Sequence, residues 1–249
     1  MTDAGPGEQT IDPTSFDDVF SNPRVADGMK GISPTSHEAA AALWRVPFAS
    51  GHLSPRIREL VLFAMHASAT ALNADAIKRQ VTRIQAAGGA LSDIVDVLIT
   101  IVSLANHALY DAVPVLDEEW AAAGNEDSND LSADLAFETA KRRFIEIRGF
   151  WNSANDPIAR YMPDYFSALT GVSTESWQRG SLTVKERELV CIGIDCTVTH
   201  SYPPGLRRHI RAAIREGATR EQIFEVFQLA ALMGLEGYIL SAEALFGNM

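Results

Sequence analysis

The feature that most constrains the fold is a pattern that returns after 129 positions. When the sequence is shifted against itself by 129 residues, RELV at 58–61 falls on RELV at 187–190. In the same register Gly88 falls on Gly217, and a long apolar run follows each glycine. Self-similarity at a fixed spacing indicates repeated structural units. The chain is therefore predicted to contain two copies of one unit, the alternative being two unrelated helical hairpins with similar turn residues.

The spacing of apolar residues predicts that both copies are helical. Apolar residues recur every three or four positions, as in ELVLFAMHASATAL and LTVKERELVCIGIDCTVTH. That spacing places them on one face of an α-helix. We find no convincing segment in which apolar and polar residues alternate, as they do in a half-buried strand. The predicted fold class is all-α, built as a tandem duplication of one helical unit.

Changes in composition along the chain suggest its domain boundaries. Residues 1–35 are rich in Asp, Pro, Gly and Ser, which predicts an N-terminal arm that becomes ordered by docking. Residues 121–130, AAAGNEDSND, are small, polar and acidic and are the best candidate for a linker. The first helical repeat is then expected over 36–120 and the second over 131–249.

Charge and hydropathy limit the partners of this protein. The formal net charge is −11, which repels nucleic acid and anionic lipid headgroups. The start, MTDAGPGEQT, lacks the basic and apolar regions of a signal peptide. The most apolar run, DVLITIVSLANHALY, is too short to span a bilayer. We therefore expect a cytoplasmic protein that binds neither nucleic acid nor membranes.

A longer motif in the second half resembles a known family. L-x-x-K-x-R-E-L covers 182–189, and P-x-x-L-R-x-H-x-R-A-A-x-x-x-G-A-T-x-E-x-I covers 203–223. This pattern resembles the carboxymuconolactone decarboxylase and alkylhydroperoxidase D family over 182–234, and residues 53–110 resemble it more weakly. The resemblance implies an all-α, alkylhydroperoxidase D-like unit whose short members form trimers or hexamers. A chain with two such units is expected to form a homo-oligomer, namely a trimer.

The cysteine positions separate two branches of that family. The peroxidase branch carries C-x-x-C-x-x-x-H, whereas Tyr202 and Gly205 occupy the cysteine positions here. Cys196 and His200 have a C-x-x-x-H spacing, but they lie too far before the glycine that ends the motif helix. A thiol peroxidase is therefore disfavoured. The decarboxylase branch keeps the histidine without the cysteines, and this sequence resembles that branch more closely.

Glu188 and His209 are the candidate catalytic residues. Pro203 ends the preceding helix, so His209 is expected in the first turns of a new helix, whose dipole favours a neutral imidazole and nearby anions. Glu188 lies on the preceding antiparallel helix and is expected to face His209, which would make a pair suited to general acid–base catalysis. Arg208, with two arginines close by, is a candidate for binding a substrate carboxylate, the alternative being a salt-bridged surface.

Four further residues are candidates for the walls of a substrate pocket. Asp195 follows Glu188 by seven positions and therefore lies on the same helix face, and His66 is its counterpart in the first copy. They are expected either to line one composite pocket or to be buried polar residues. Tyr202 and His200 precede the motif helix and are also candidates for substrate binding.

These observations predict an enzyme that acts by proton transfer. The expected function is a cofactor-independent carboxy-lyase for a small carboxylated lactone or a related unsaturated acid, in which His209 returns the proton. The alternatives are an isomerase or hydrolase on the same fold, or a non-catalytic oligomeric binding protein. No H-x-x-E-H or H-E-x-x-H spacing and no nucleotide motif is present, so no metal site and no cofactor are expected. Gln80 replaces His209 in the first copy and cannot transfer a proton, so the active site is expected in the second.

Overall fold

Thirteen α-helices form the regular structure of residues 11–125 and 135–247, the part of the chain that the computed structural model describes. In chain order they are α1 (Pro23–Ile32), α2 (Pro34–Ser50), α3 (Pro55–Ala67), α4 (Ala74–Ala86), α5 (Leu91–Val102), α6 (His107–Ala122), α7 (Leu135–Arg148), α8 (Asn155–Tyr161), α9 (Pro163–Arg179), α10 (Val184–Cys196), α11 (Pro203–Arg215), α12 (Arg220–Ala231) and α13 (Glu236–Phe246). Short 3-10 turns lie at Asp17–Val19, Ser103–Asn106 and Leu232–Leu235. These residues contain no strand, which confirms the all-α class.

The helix boundaries follow the same period as the sequence. Helices α2 to α6 begin 129 positions before α9 to α13, respectively, as with Pro34 and Pro163. We call α2–α6 the first set and α9–α13 the second set. The turns agree as well, because Leu72 and Ser201, which occupy equivalent positions, both have positive φ. The two sets thus share one topology, and the duplication event that would explain it stays a prediction.

Local sequence signals account for the helix ends in both sets. The hydroxyl of Ser54 accepts a hydrogen bond at the start of α3, and that of Thr183 does so at the start of α10. Gly88 follows α4 and Gly217 follows α11, each with φ of 82°. Glycine reaches this left-handed conformation without steric cost. The chain therefore turns at equivalent points in the two sets.

Helices α3 and α10 lie at the centre of the molecule and pack against each other. Leu60 and Val61 on α3 and Leu189 and Val190 on α10 are almost completely buried. Gly193 allows the close approach, because a Cβ there would lie 2.8 Å from a methyl group of Val61. The hydrophobic core is therefore shared by the two sets.

Two buried ion pairs join the sets reciprocally. Arg58 on α3 pairs with Glu225 on α12, and Arg187 on α10 pairs with Asp96 on α5 at 2.7 Å. All four residues are buried, and the two pairs occupy equivalent positions 129 residues apart. Each set therefore supplies the arginine of one pair and the carboxylate of the other.

The segments outside the two sets also pack on the fold. Phe16 and Val25, from the predicted N-terminal arm, are buried in the core beside α2 and α13. Helices α7 and α8 precede the second set and, with α9, build a smaller apolar cluster around Phe137, Ile158 and Phe166. Residues 126–130, half of the predicted linker, lie outside the described residues.

Two stretches, Leu91–Ala122 and Arg220–Phe246, are long and apolar enough to cross a membrane, judged by length and composition alone. Each consists of two helices joined by a 3-10 turn. About half of each apolar window, 50% and 44%, is buried inside the fold. These stretches occupy equivalent positions in the two sets and contribute to the shared core.

Candidate active site

Glu188 and His209 meet in the interior of the second set. The Nδ1–H of His209 donates a hydrogen bond of 2.6 Å to Oε2 of Glu188, since an ionised carboxylate can only accept. Both residues are buried, at 3% and 4% exposure. This bond orients the imidazole and leaves Nε2 available on the opposite edge of the ring. The expected contact between the two groups is therefore present.

His209 lies within the first turns of α11, as the sequence predicted. His209 is the seventh residue of α11, which begins at Pro203, so it lies in the second turn. The influence of a helix dipole falls off within the first turn. The dipole of α11 is therefore weak at His209, whose nearest carboxylate is that of Glu188 at 2.6 Å.

A narrow cavity lies beside His209, between the second set, α7 and the start of α6. It encloses about 40 Å³, which is room for a few water molecules. Arg208 and Phe150 are partly exposed at its edge, and the guanidinium lies 4.6 Å from the ring centre. This volume is smaller than an organic acid of several carbon atoms would require. The main polar residues lining the cavity are Asn106, His107, Tyr110, Arg148, Arg208 and His209.

Arg148 places a positive charge in the buried wall of this cavity. Its Nη1 donates a hydrogen bond of 2.7 Å to the backbone carbonyl of Ser173, and its guanidinium stacks 3.5 Å from the ring centre of Trp177. Burial lowers the pKa of Arg148, whereas the nearby Glu188 carboxylate opposes that shift. The Nε of Arg148 is buried with no hydrogen-bond partner among the described residues. The guanidinium of Arg148 therefore makes the cavity more favourable for an anionic ligand.

Asp195 lies among three histidines at the inner end of the site. Its carboxylate oxygens are 3.7 Å from Nδ1 of His107, 3.5 Å from Nε2 of His200 and 3.9 Å from Nε2 of His209. The two ring nitrogens of His107 and His200 are themselves 2.9 Å apart. Burial, followed by the charges of neighbouring histidines, lowers the pKa of His107 to about 3, so its ring is neutral at neutral pH. His107 is not among the candidates that the sequence indicates, because it belongs to the first set and no motif surrounds it.

Tyr202 supports this cluster instead of facing an open pocket. Its ring stacks on His107 with centroids 3.8 Å apart and an interplanar angle of 19°. Its backbone N–H donates a 3.0 Å hydrogen bond to the carbonyl of Asp195. Tyr202 therefore holds both a histidine and the end of α10 in place.

His66 belongs to a separate cluster in the first set. Its Nε2 lies 3.5 Å from Glu236, and Arg79 contacts the same carboxylate at 2.5 Å. Next to this group, Gln80 donates a hydrogen bond of 3.0 Å to Glu59, in the position equivalent to the His209–Glu188 contact. His66 is not among the residues lining the cavity beside His209. Asp195 and His66 thus occupy equivalent places in two clusters rather than one composite pocket.

The cysteines offer no reactive thiolate. Both are free of disulfide bonds, and Cys191 is buried. Burial raises the pKa of Cys191 well above its usual value and raises that of Cys196 to about 12. Thiols with such values stay protonated at neutral pH and are poor nucleophiles.

Comparison with known proteins supports the resemblance. Residues 163–245 match the carboxymuconolactone decarboxylase family, and the match begins where α9 begins. The second set is therefore similar to a unit of this family. A crystal structure from Burkholderia xenovorans, provisionally described as a gamma-carboxymuconolactone decarboxylase subunit, is similar with a TM-score of 0.85 and 28% identity. The alignment covers 95% of this chain and 96% of that chain, so the whole architecture is shared with it. Among curated proteins, no sequence matches.

The match to the carboxymuconolactone decarboxylase family includes most of the candidate site residues. The matched range contains Glu188, His209, Asp195, His200 and Tyr202. His107 lies outside it, as does the whole first set. The family match therefore covers the Glu188–His209 pair but only part of the surrounding cluster.

Proposed function

We propose that this protein is a carboxy-lyase that decarboxylates a small carboxylated lactone or a related unsaturated acid. The observation that carries the proposal is the buried contact of 2.6 Å between Glu188 and His209. It holds a histidine with its second nitrogen free, beside a cavity with positively charged walls. The family of the second set supports a decarboxylase-like function.

The reaction uses the substrate's own conjugated carbonyl group as the electron sink. The bond between the α-carbon and the carboxylate breaks, carbon dioxide leaves, and the electron pair moves into the conjugated system. The Nε2–H of a protonated His209 then delivers a proton to carbon, while Glu188 stabilises the imidazolium from which it comes. The imidazole is protonated again from solvent before the next turnover.

Arginines near the cavity account for recognition of an acid. Arg148 presents a guanidinium from the buried wall, and Arg208 presents another from the edge. Guanidinium groups bind carboxylates through charge-assisted hydrogen bonds. We therefore expect the substrate to keep a second carboxylate or a polarised carbonyl near these residues.

The test is carbon dioxide release from a panel of unsaturated lactone acids by the wild type and by His209→Gln. The first set already carries Gln80 in the equivalent position, hydrogen-bonded to Glu59, so glutamine is compatible with this scaffold. We expect the variant to lose about 10²–10⁴-fold in rate, the usual contribution of general acid–base catalysis. Gln80→His is the matched control and should leave the rate unchanged.

Two results would contradict the proposal. One is wild-type protein that releases no carbon dioxide from any acid in the panel. The other is His209→Gln protein that retains the wild-type rate with an unchanged circular dichroism spectrum. If the panel instead yields products that keep the carboxyl group, and His209→Gln abolishes them, an isomerase or hydrolase replaces the lyase.

A further inference from the structure

Asp195 is a buried carboxylate whose side chain has no hydrogen-bonding partner in the part of the chain that the structure describes. The residue is 1% exposed, and both of its side-chain oxygens lie buried without a hydrogen bond to any described residue. Buried carboxylates are normally paired with a cation or accept several hydrogen bonds, because burying a bare charge is unfavourable. The groups that face Asp195 are ring nitrogens at 3.5 to 3.9 Å. These distances are too long for hydrogen bonds.

We propose that His107, Asp195 and His200 bind a divalent transition-metal ion of the zinc class. The three ligand atoms form a triangle with sides of 2.9, 3.5 and 3.7 Å. A point equidistant from these three atoms lies about 2.0 Å from each, which matches Zn–N and Zn–O bonds of about 2.0–2.2 Å. Two histidines and one carboxylate are also a ligand set that zinc prefers.

The candidate proton donor His209 lies beside this triangle. Nε2 of His209 lies 3.9 Å from the second oxygen of Asp195. A catalytic metal site typically has three protein ligands and a remaining position for water or substrate. The bound ion would therefore lie next to the imidazole that we propose as proton donor, where it would attract an oxygen of an anionic substrate.

The first set shows how the same scaffold satisfies a buried carboxylate without a metal. There, Arg79 contacts Glu236 at 2.5 Å, beside His66. The equivalent arginine of the second set, Arg208, instead lies over the ring of Phe150. Among the described residues, Asp195 therefore has no guanidinium partner within 4.0 Å, although its counterpart cluster has one. A divalent ion would supply that missing positive charge.

Two neighbouring residues position the side chains that would coordinate the ion. Gly205 leaves room for the carboxylate, because a Cβ there would lie 2.3 Å from Oδ2 of Asp195. Tyr202 stacks on His107 and so restricts the rotation of that ring. Supporting contacts of this kind orient the ligands of protein metal sites.

The experiment measures Zn²⁺ binding without substrate, so it does not rest on the decarboxylase proposal. Purified protein is stripped with a chelator, incubated with Zn²⁺, desalted and analysed for metal by mass spectrometry, and its affinity is measured by calorimetry. We expect one Zn²⁺ per chain in the wild type. Asp195→Asn and His200→Gln should reduce the affinity by at least about 100-fold, since each removes a ligand. The matched control, His66→Asn, alters the equivalent position of the first set and should keep one Zn²⁺.

Substitution of Co²⁺ for Zn²⁺ gives a second readout. A visible absorption band that is present in the wild type and absent in Asp195→Asn would report coordination at this cluster. Sub-stoichiometric Zn²⁺ in the desalted wild type, or an Asp195→Asn variant that binds as the wild type does, would overturn the proposal. If Asp195→Asn fails to fold, His200→Gln decides the matter, because His200 lies in a partly exposed turn. A protein that binds Zn²⁺ but releases no carbon dioxide would refute only the lyase.

Discussion

Gly205 lies in the first turn of α11, directly against the carboxylate of Asp195. Its helical backbone does not require glycine, and the equivalent residue of the first set is the buried Ala76. The requirement comes instead from the space that the Asp195 carboxylate and the Tyr202 ring occupy. At this scale the cluster depends on the absence of one methyl group.

Gly205→Ala is therefore expected to displace Asp195 and to weaken Zn²⁺ binding by about tenfold or more. Crowding of a packed site should also cost about 1–3 kcal/mol, partly offset by the higher helix propensity of alanine. Calorimetry with Zn²⁺ and urea denaturation measure the two effects. Ala76→Gly is the matched control, and it should cost about 1 kcal/mol without affecting Zn²⁺. Unchanged Zn²⁺ affinity in Gly205→Ala would show that Asp195 tolerates the methyl group.

At the scale of helices, the buried ion pairs determine how the two sets dock. Arg187 on α10 donates two hydrogen bonds to Asp96 on α5, and Asp96 also accepts from the backbone of Leu182. Arg58 and Glu225 form the equivalent pair between α3 and α12. Because each pair crosses from one set to the other, the central helices cannot slide without separating buried charges.

Arg187→Met should destabilise the protein by about 3–5 kcal/mol, because it leaves the carboxylate of Asp96 buried without its partner. The double variant Arg187→Met with Asp96→Leu should recover much of this loss, since no charge is then stranded. Urea denaturation measures both. Arg179→Met, which breaks an exposed pair with Glu175, is the control and should change stability by less than about 1 kcal/mol. A single variant as stable as the wild type would mean that Asp96 finds another partner.

At the scale of the whole molecule, each set completes a polar cluster of the other. His107 from the first set joins Asp195 and His200, and Glu236 from the second set joins His66. Neither cluster exists in one set alone. The homo-oligomer, and the trimer in particular, stays a prediction that analytical ultracentrifugation would check.

The His66 cluster should make stability depend on pH. Burial, followed by the charge of Arg79, lowers the pKa of His66 to about 3. Below the ordinary pKa of about 6.5, the unfolded chain takes up a proton that the folded protein excludes, so stability falls as pH decreases towards 3. This histidine should account for a loss of about 2 kcal/mol between pH 7 and pH 5.

Comparison of the wild type with His66→Gln isolates that contribution. Glu236 acts in the opposite direction, because burial raises its pKa and the folded state binds its proton more tightly. It is present in both proteins, so the difference between their free energies of unfolding at the two pH values reports His66. Equal pH dependence in both proteins would mean that His66 becomes protonated in the folded state.

The sequence alone was sufficient to predict the features that depend on residues close together in the chain. Periodicity predicted the helices, and the glycines and caps marked their ends, because those signals act within a few residues. The contact between Glu188 and His209 was also predictable, since consecutive antiparallel helices bring them together. The 129-residue period in the sequence recurs in the helix boundaries for the same reason.

Only the tertiary structure decided the composition of the cluster around Asp195. His107 precedes Asp195 by 88 positions and lies on a helix of the other set, so no local spacing connects them. The placement of Arg208 over Phe150, in contrast to Arg79 on Glu236, is a choice of side-chain conformation made by surrounding residues. The docking of Phe16 in the core likewise depends on surfaces formed by distant helices. Contacts between segments far apart in sequence arise from packing of the whole chain. The residue pattern of one segment therefore does not predict them.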